Sequence, residues 1–471
     1  MYFSISIITS SLQHPGSLHN INHYFFIGVA GAGMSALAQF LAGEGKQVSG
    51  SDRYFTPGIF NETKEKLESE GIKCFPQNGE GITGDIQLVI VSTAVEDSVP
   101  EVQRAKALNI PIIKRSELLA RIAATKRTIA VGGTSGKSST GGMLFRILEH
   151  AGYGPGIISG AGLVSIIKEG KIGNAKVGKG EWLVIEADES DGSIVQYHPE
   201  IGLLLNIDKD HQETAELTAI FSQFKKNTSG KFVVNRSNAL SAALSADINH
   251  DFSSDDHDAG YQAVGLKQEG MNIHISINGI PFHLKTIGKH SMENALAAAA
   301  VANLVGISLE QSAEALQDYE GIYRRHQLLG EKKGVLVIDD YAHNPAKCAA
   351  SIAACQPLAP KVIAWFQPHG YGPTRFLKND FIREIARVLR PEDEIWMSEI
   401  FYAGGTAEKD ISANDLVKGI EALGNHAYFV EDREQLLGKM RPHFTENCVL
   451  LLMGARDPGL EAFSKNLYEQ L

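Results

Sequence analysis

Thr128-Ile129-Ala130-Val131-Gly132-Gly133-Thr134-Ser135-Gly136-Lys137-Ser138-Ser139-Thr140 is the stretch whose reading decides the fold. A β-branched run enters a glycine turn, and a lysine and hydroxyls follow at once. Beyond them Met143, Leu144, Ile147 and Leu148 recur with helical spacing. The order predicts a strand, a phosphate loop and a helix. Glycines let successive backbone N–H groups turn toward an anion, and the helix N-terminus adds its positive end. Lys137 is placed to reach the outer phosphates, and the Ser138 hydroxyl to ligate Mg²⁺. Val131 stands where the longer form of this loop has its first glycine, so the form here is Gly133-x-x-Gly136-Lys137-Ser138. A Gly-Lys-Ser triplet alone says little; between a strand and a helix it points to a bound nucleotide.

Upstream lies a second nucleotide-binding pattern. Tyr24 to Ile27 reads as a strand, Gly28 to Ser35 as a glycine turn, Ala36 to Gly43 as a helix, and Gln47 to Asp52 as a strand ending in an acid. This is a βαβ unit. Gly31-x-Gly33-x-x-Ala36 fits a dinucleotide fingerprint, with Asp52 available for a ribose hydroxyl. The same pattern serves nicotinamide cofactors, flavins and nucleotide sugars. Leu88 to Val91, ending at Ser92, and Ile110 to Ile113 add strands, and the unit is expected to end near residue 125.

Downstream, Trp182 to Ile185 runs into Glu186-Ala187-Asp188-Glu189-Ser190-Asp191, and Ile201 to Leu205 into Asn206-Ile207-Asp208-Lys209-Asp210-His211. In a parallel sheet the carboxyl ends of strands face the ligand crevice. An acid and a histidine there could complete a Mg²⁺ site with Ser138. Residues 237–270, with Asp255-Asp256-His257-Asp258, lack apolar periodicity and read as an exposed loop. Met271 to Leu284 alternates like antiparallel strands. Gly288 to Asn294 leads into an alanine-rich helix. After Gly321 to Arg325, strands at Val335 to Ile338, Lys361 to Phe366, Glu394 to Met397 and Val449 to Met453 alternate with helical stretches, a further doubly wound unit.

At 471 residues the chain has room for several cores, and its net charge of −11 argues against a nucleic-acid partner held on a basic surface. No apolar run approaches membrane-spanning length. Cys74, Cys348, Cys355 and Cys448 lack metal-like spacing and read as free thiols of a reducing, cytoplasmic compartment. Residues 1–20 have no basic start for a secretory signal and read as a flexible extension.

With these motifs in this order the chain resembles the Mur ligases. The likeness runs from about residue 22 to 470 and rests on Gly28 to Ser35, Ser49 to Asp52, Gly133 to Thr140, Glu186 to Asp191, Asn206 to His211, Arg324-Arg325, Asp339 to Pro345 and Phe366 to His369. It implies an α/β protein of three domains: an N-terminal Rossmann-like UDP-sugar domain (21–125), a central P-loop ATPase domain (126–322) and a C-terminal Rossmann-like domain (323–471). It implies that Gly28, Gly31, Gly33, Met34, Ser35, Asp52 and Ser92 hold the UDP-sugar. Gly133, Thr134, Ser135, Gly136, Lys137, Ser138 and Ser139 would hold ATP, with His290 and Asn294 near the adenine and Arg324 and Asp339 on the C-terminal side. Ser138, Glu186 and His211 would serve Mg²⁺. The activity implied is ATP-dependent ligation of the UDP-N-acetylmuramate carboxylate to an amino acid, L-alanine, through an acyl phosphate, in cell-wall synthesis. The partners are then small molecules, with no nucleic acid or membrane, and the chain a monomer or weak homodimer.

Several positions depart from the family pattern. Ser135 replaces a histidine and Ser138-Ser139 replace threonines, with the hydroxyls kept. Ser291 follows His290 in place of asparagine. Gly370 stands where an arginine follows His369, which leaves Arg375 as the expected clamp for the amine's carboxylate. Ala403-Gly404-Gly405 and Gly454 to Asp457 also differ. His211 and His369 are both candidates for the general base. The departures cluster where the amine would be chosen, so a second reading keeps the chemistry with another amino acid or a recycled peptide. Readings of a different class are a nicotinamide oxidoreductase built on residues 24–52 and an inactive nucleotide-sugar-binding regulator. The phosphate loop opposes the first, and the set Lys137, Glu186 and His211 opposes the second.

Overall fold

The computed structural model describes residues 18, 20–190, 192–208, 213–255, 258–402, 404 and 408–471. The expectations placed on the extension 1–17, on Asp191, on Lys209 to Gln212 with His211 among them, on Asp256 and His257, and on Ala403 and Gly405 lie outside the described residues.

The first sheet is all parallel, with strands β1 (His23–Ile27), β2 (Gln47–Asp52), β3 (Lys73–Pro76), β4 (Leu88–Val91) and β5 (Ile112–Lys114) in the order β3-β2-β1-β4-β5. Phe25, Phe26 and Ile27 are wholly buried, as a strand covered on both faces requires. Leu18, expected within the extension, is instead buried in this core, and its carbonyl accepts from Tyr24 Oη. An apolar side chain beside the sheet gains more from burial than from solvent, which pins that end of the extension.

The central sheet runs β11-β10-β6-β9-β7-β8, from β6 (Arg127–Gly132), β7 (Gly156–Ile158), β8 (Ala175–Lys176), β9 (Trp182–Glu186), β10 (Ile201–Leu204) and β11 (Lys231–Val234). Only its edge pair β7–β8 is antiparallel. The helix Lys137–His150 follows β6, as the loop pattern predicts, and packs with the helix Lys289–Leu304 in one core. Alanines 297 to 300 of the second helix are wholly buried, and such small side chains let the two axes approach. Gly142 of the first helix packs instead against Tyr319 and Ile322, where a Cβ would meet Tyr319 Oη at 2.5 Å.

Residues 237–270 are not the exposed loop expected. They hold a short helix (Ala239–Ala242), β12 (Phe252–Ser253) and β13 (Tyr261–Glu269), which joins β14 (Asn272–Ile277) and β15 (Ile280–Leu284) in the order β12-β13-β14-β15. Phe252, Tyr261 and Ala263 are buried against the alanine-rich helix, while residues 264–267 of β13 are exposed, so apolar residues too sparse to show a period still form a strand.

The last sheet runs β16-β17-β21-β18-β19-β20, from β16 (Gln327–Lys332), β17 (Val335–Asp340), β18 (Lys361–Gln367), β19 (Glu394–Met397), β20 (His426–Phe429) and β21 (Cys448–Gly454). It is parallel except for β16–β17. A bridge between Leu163 and Ile322, with Tyr323 N donating to the Gly162 carbonyl at 2.8 Å, ties the entry to this unit onto the central one.

Candidate functional site

A cavity of about 930 Å³ lies between the central and C-terminal units, lined on one side by the phosphate loop and on the other by Arg325, His326, Asp340 and Lys347. The loop is braced from β10. Asn206 Oδ1 accepts from Thr134 Oγ1 and Ser135 N, each at 2.8 Å, and Asn206 Nδ2 donates to the Ser135 carbonyl at 3.2 Å. Gly136 sits at φ +87°, and a Cβ there would meet Asn294 Oδ1 at 2.6 Å. Asn294 also accepts from Thr140 Oγ1 at 3.1 Å. The structure thus brings Thr134, Ser135, Gly136, Lys137, Ser138, Ser139, His290 and Asn294 to one cavity, with Asn294 bracing the loop's helix.

Lys137 Nζ donates to the Gly133 carbonyl and to Glu189 Oε2, both at 2.7 Å, with Asp188 Oδ1 at 3.9 Å. Burial works against the ammonium charge, but the carboxylates of Glu189, Asp188 and Glu186 outweigh it and raise its pKa. Glu189 is buried, and burial raises its carboxyl against the pull of Lys137. Sequence reasoning placed Asp188 and Glu189 in the acid cluster without giving either a role.

Glu186 ends β9 at the cavity wall. Its Oε1 accepts from Ser159 Oγ at 2.6 Å and from Gly160 N at 2.8 Å. Ser138, Glu186 and Asp188 all line the cavity and offer oxygen donors. Mg²⁺ takes one or two carboxylates with substrate phosphates and waters rather than a full protein cage, so this donor set fits it.

On the C-terminal side, adjacent residues separate. Arg324 and Asp339 bind each other, Nε to Oδ2 at 2.8 Å and Nη2 to Oδ1 at 3.1 Å, with Nη2 also on the Gly454 carbonyl. Both are buried, and neither lines the cavity. Their neighbours Arg325 and Asp340 do: Asp339 and Asp340 are successive residues of β17, whose side chains point to opposite faces, and Arg324 lies in a turn at φ +53°. Asp340 Oδ2 is 3.0 Å from both His326 Nε2 and Ser351 Oγ, and Oδ1 accepts from Ala342 N at 2.9 Å. Burial opposes the Asp340 charge, yet His326, Arg325 and His290 together hold its carboxyl below the usual range. His290 stacks on His326, ring centroids 4.9 Å apart, and burial, reinforced by His326, pushes His290 down to about 3.

Arg375 lies elsewhere. It pairs with Asp410 and donates to the Glu408 carbonyl at 3.0 Å, half-exposed and outside the cavity lining. His369 faces His343 across 5.6 Å, with His343 Nδ1 on the Tyr341 carbonyl.

In the N-terminal unit Gly28, at φ +81°, donates to the Ser51 carbonyl at 2.7 Å. Asp52 is buried and accepts from Ala30 N and Tyr54 N, each at 3.0 Å, so it closes the glycine loop upon β2. Gly31, Gly33, Met34 and Ser35 form the turn and first helical residues of Ala32–Gly43. Arg115 lies against Gly33: a Cβ at 33 would meet its Cδ at 3.0 Å. Ser92 follows β4 at the carboxyl edge of the same sheet. Among the described residues no helix is long and apolar enough to cross a membrane.

Three stretches of the chain match family domains in order. Residues 23–127 match "Mur ligase family, catalytic domain", residues 131–302 "Mur ligase middle domain", and residues 324–456 "Mur ligase, glutamate ligase domain". The chain is 35% identical over 448 residues to a UDP-N-acetylmuramate–L-alanine ligase of Carboxydothermus hydrogenoformans, covering 91% of this chain and 93% of that one. It is 34% identical to the ligase of the same name from Aquifex aeolicus, covering 92% and 95%. A solved UDP-N-acetylmuramate-alanine ligase from Thermotoga maritima superposes with TM-score 0.77 at 26% identity, covering 95% of this chain and 98% of that one. A murein peptide ligase from Psychrobacter arcticus shares the fold at TM-score 0.65 and 20% identity, covering 95% and 98%.

Proposed function

The chain belongs to the Mur ligase family, and from that premise we propose that it joins the carboxylate of UDP-N-acetylmuramate to L-alanine at the expense of ATP. The observation that carries this reading is the phosphate loop facing Arg325 and Asp340 across a cavity that Glu186 also lines. It is supported by the relatives named for that reaction.

A carboxylate is a poor electrophile at neutral pH. Receiving the γ-phosphoryl of ATP gives it a phosphate leaving group, and the amine then attacks the acyl carbon. The phosphate loop would bind the transferring group through backbone N–H groups from Gly136 onward, and Lys137 offsets charge that builds as the phosphoryl moves. Lys137 must give up part of its pairing with Glu189 to do so. Ser138 and Glu186 would hold Mg²⁺, which when bound neutralises phosphate charge. Arg325 and Asp340 would engage the nucleotide from the opposite wall, with Arg324 and Asp339 fixing the loop and strand that carry them. Gly28 to Ser35 would receive the UDP-sugar, with Asp52 holding that loop in shape. Closure of the two walls on the bound substrates would keep water from the acyl phosphate. The reaction belongs to the cytoplasmic stage of peptidoglycan synthesis, and the chain works as a monomer or weak homodimer.

The test is ADP release with UDP-N-acetylmuramate and a panel of amines: L-alanine, glycine, L-serine and the recycled tripeptide. Turnover that requires the UDP-sugar and favours L-alanine is expected. Turnover with the tripeptide alone would shift the reading to peptide recycling, and UDP-sugar-independent ATP hydrolysis would remove it.

A further inference from the structure

An unbroken run of hydrogen bonds joins the glycine loop of the N-terminal unit to the Glu186 carboxylate of the central one. It starts at Asn174, beside the edge strand β8. Asn174 Nδ2 donates to the Ala32 carbonyl at 2.7 Å and lies 3.0 Å from Ser35 Oγ, and its Oδ1 accepts from Gln39 Nε2 at 2.8 Å. One side chain of the central unit thus holds the first turn of the helix that carries the N-terminal loop. The Asn174 carbonyl accepts from Ser159 N at 2.8 Å, extending the β7–β8 ladder by one step. Ser159 Oγ then donates to Glu186 Oε1 at 2.6 Å, and Gly160 N donates to the same oxygen. The single hydroxyl proton of Ser159 has a second acceptor, the Ala161 carbonyl at 2.9 Å. The carboxylate is nearer and charged, and a charge-assisted bond wins.

Ser159 and Asn174 are 4% and 2% exposed, so water cannot replace a bond that either loses. A shift of the helix's first turn on taking up a ligand must move Asn174 or break its bonds. A shift of Asn174 moves the backbone that aims Ser159 at Glu186. Gly160 leaves little slack, because a Cβ there would meet Glu186 Oε2 at 3.1 Å.

We propose that Asn174 and Ser159 are positioning residues that couple nucleotide-sugar binding on the loop Gly28 to Ser35 to the orientation of Glu186 in the ATP cavity. The proposal rests on the UDP-sugar ligase reading of both sites. By linkage the coupling is reciprocal: Mg·ADP in the cavity changes the UDP-sugar affinity by the same factor as the UDP-sugar changes that for Mg·ADP.

The experiment measures the Kd of UDP-N-acetylmuramate by calorimetry, with and without saturating Mg·ADP, for the parent, Ser159→Ala and Asn174→Ala. The expected parent ratio of the two Kd values departs from one by at least about fivefold. In both variants it is expected to fall toward one. A merely structural role would shift both Kd values together and leave the ratio alone. Ser159→Ala removes one oxygen and keeps the Ser159 N–Asn174 O bond, so it decides the matter if Asn174→Ala does not fold. A parent ratio of one, or a ratio preserved in Ser159→Ala, overturns the coupling while leaving the ligase reading standing. Absence of any UDP-sugar binding by the parent overturns the ligase reading and the coupling with it.

Discussion

Glu189 Oε2 lies 2.7 Å from Lys137 Nζ, so a carboxylate already holds the cation of the phosphate loop. The ammonium stays charged, and burial raises the Glu189 carboxyl. Lys137→Ala is therefore expected to retain its fold: Glu189, deprived of its partner, takes up a proton rather than remain a buried charge. Turnover is another matter. Electrostatic contacts to a transferring group are worth about 3–4 kcal/mol, a loss of roughly a hundred- to a thousandfold. Circular dichroism melts and ADP release check the two halves separately. Near-parental turnover would sink the assignment of this loop to phosphoryl transfer.

Glu186→Gln keeps the size of the side chain and removes its charge. The Ser159 and Gly160 donors still find an oxygen, so the local backbone is expected to stay in place. The loss falls on the hard anionic donor that Mg²⁺ prefers. Mg²⁺ titrations of ADP release should shift to higher concentration. Superimposable titrations of variant and parent would take Glu186 out of the metal site.

The strands, the glycine turns and the order of the three units were legible because their signals are local. Gly28 and Gly136 carry positive φ where the sequence reads as turns, and the alanine-rich helix begins after Gly288 as the pattern predicts. What sequence could not show depends on distant partners. Nothing near Asn206 or Asn174 announces that each braces a loop distant in the chain. In Arg324-Arg325 and Asp339-Asp340 the residue types are right for a nucleotide, but which of each pair faces the cavity is set by strand register at Asp339-Asp340 and by the turn at Arg324, whose φ is +53°. β13 was missed because its buried residues, Tyr261 and Ala263, are too few to set a period.

The Arg324–Asp339 pair makes that register testable. Breaking a buried, bidentate ion pair costs about 3–5 kcal/mol, so Arg324→Ala is expected to lower the Tm by several degrees or more. Arg325 lines the cavity and lies over the Tyr341 ring. Arg325→Ala is expected to raise the KM for ATP by roughly ten- to a hundred-and-fifty-fold, for a charged hydrogen bond of about 1.5–3 kcal/mol, with little change in Tm. The reverse pattern in melts and kinetics would return Arg324 to the nucleotide.

Arg375 was expected to clamp the amine's carboxylate, and that role would make Arg375→Ala raise the amino-acid KM roughly ten- to a hundred-and-fifty-fold. Its half-exposed pairing with Asp410 points the other way. Surface ion pairs are worth about 0–1 kcal/mol, so the structure leads us to expect a change within about fivefold. Kinetics of the variant over L-alanine concentration decide between the two.

His290 supplies a dependence on pH whose sign can be worked out. Burial, with His326 stacked upon it and Arg325 close by, pushes its pKa from the ordinary 6.5 down to about 3, against the opposing pull of Asp340. Above pH 6.5 the ring is neutral in both the folded and the unfolded chain, and its titration contributes nothing to stability. Below 6.5 the unfolded chain takes up a proton that the folded chain refuses, so stability is lost progressively as pH falls. The loss is complete near pH 3, where the folded protein also protonates. Each pH unit in that window costs about 1.4 kcal/mol, so lowering the pH from 7 to 5 removes about 2 kcal/mol through this residue. His290→Gln keeps polarity without a titrating group. Urea melts at pH 7 and pH 5 are expected to show that the variant loses about 2 kcal/mol less than the parent on acidification. Equal losses in parent and variant would mean that His290 protonates as readily in the folded chain as in the unfolded one. The stacked, buried arrangement against His326 would then not describe the protein in solution.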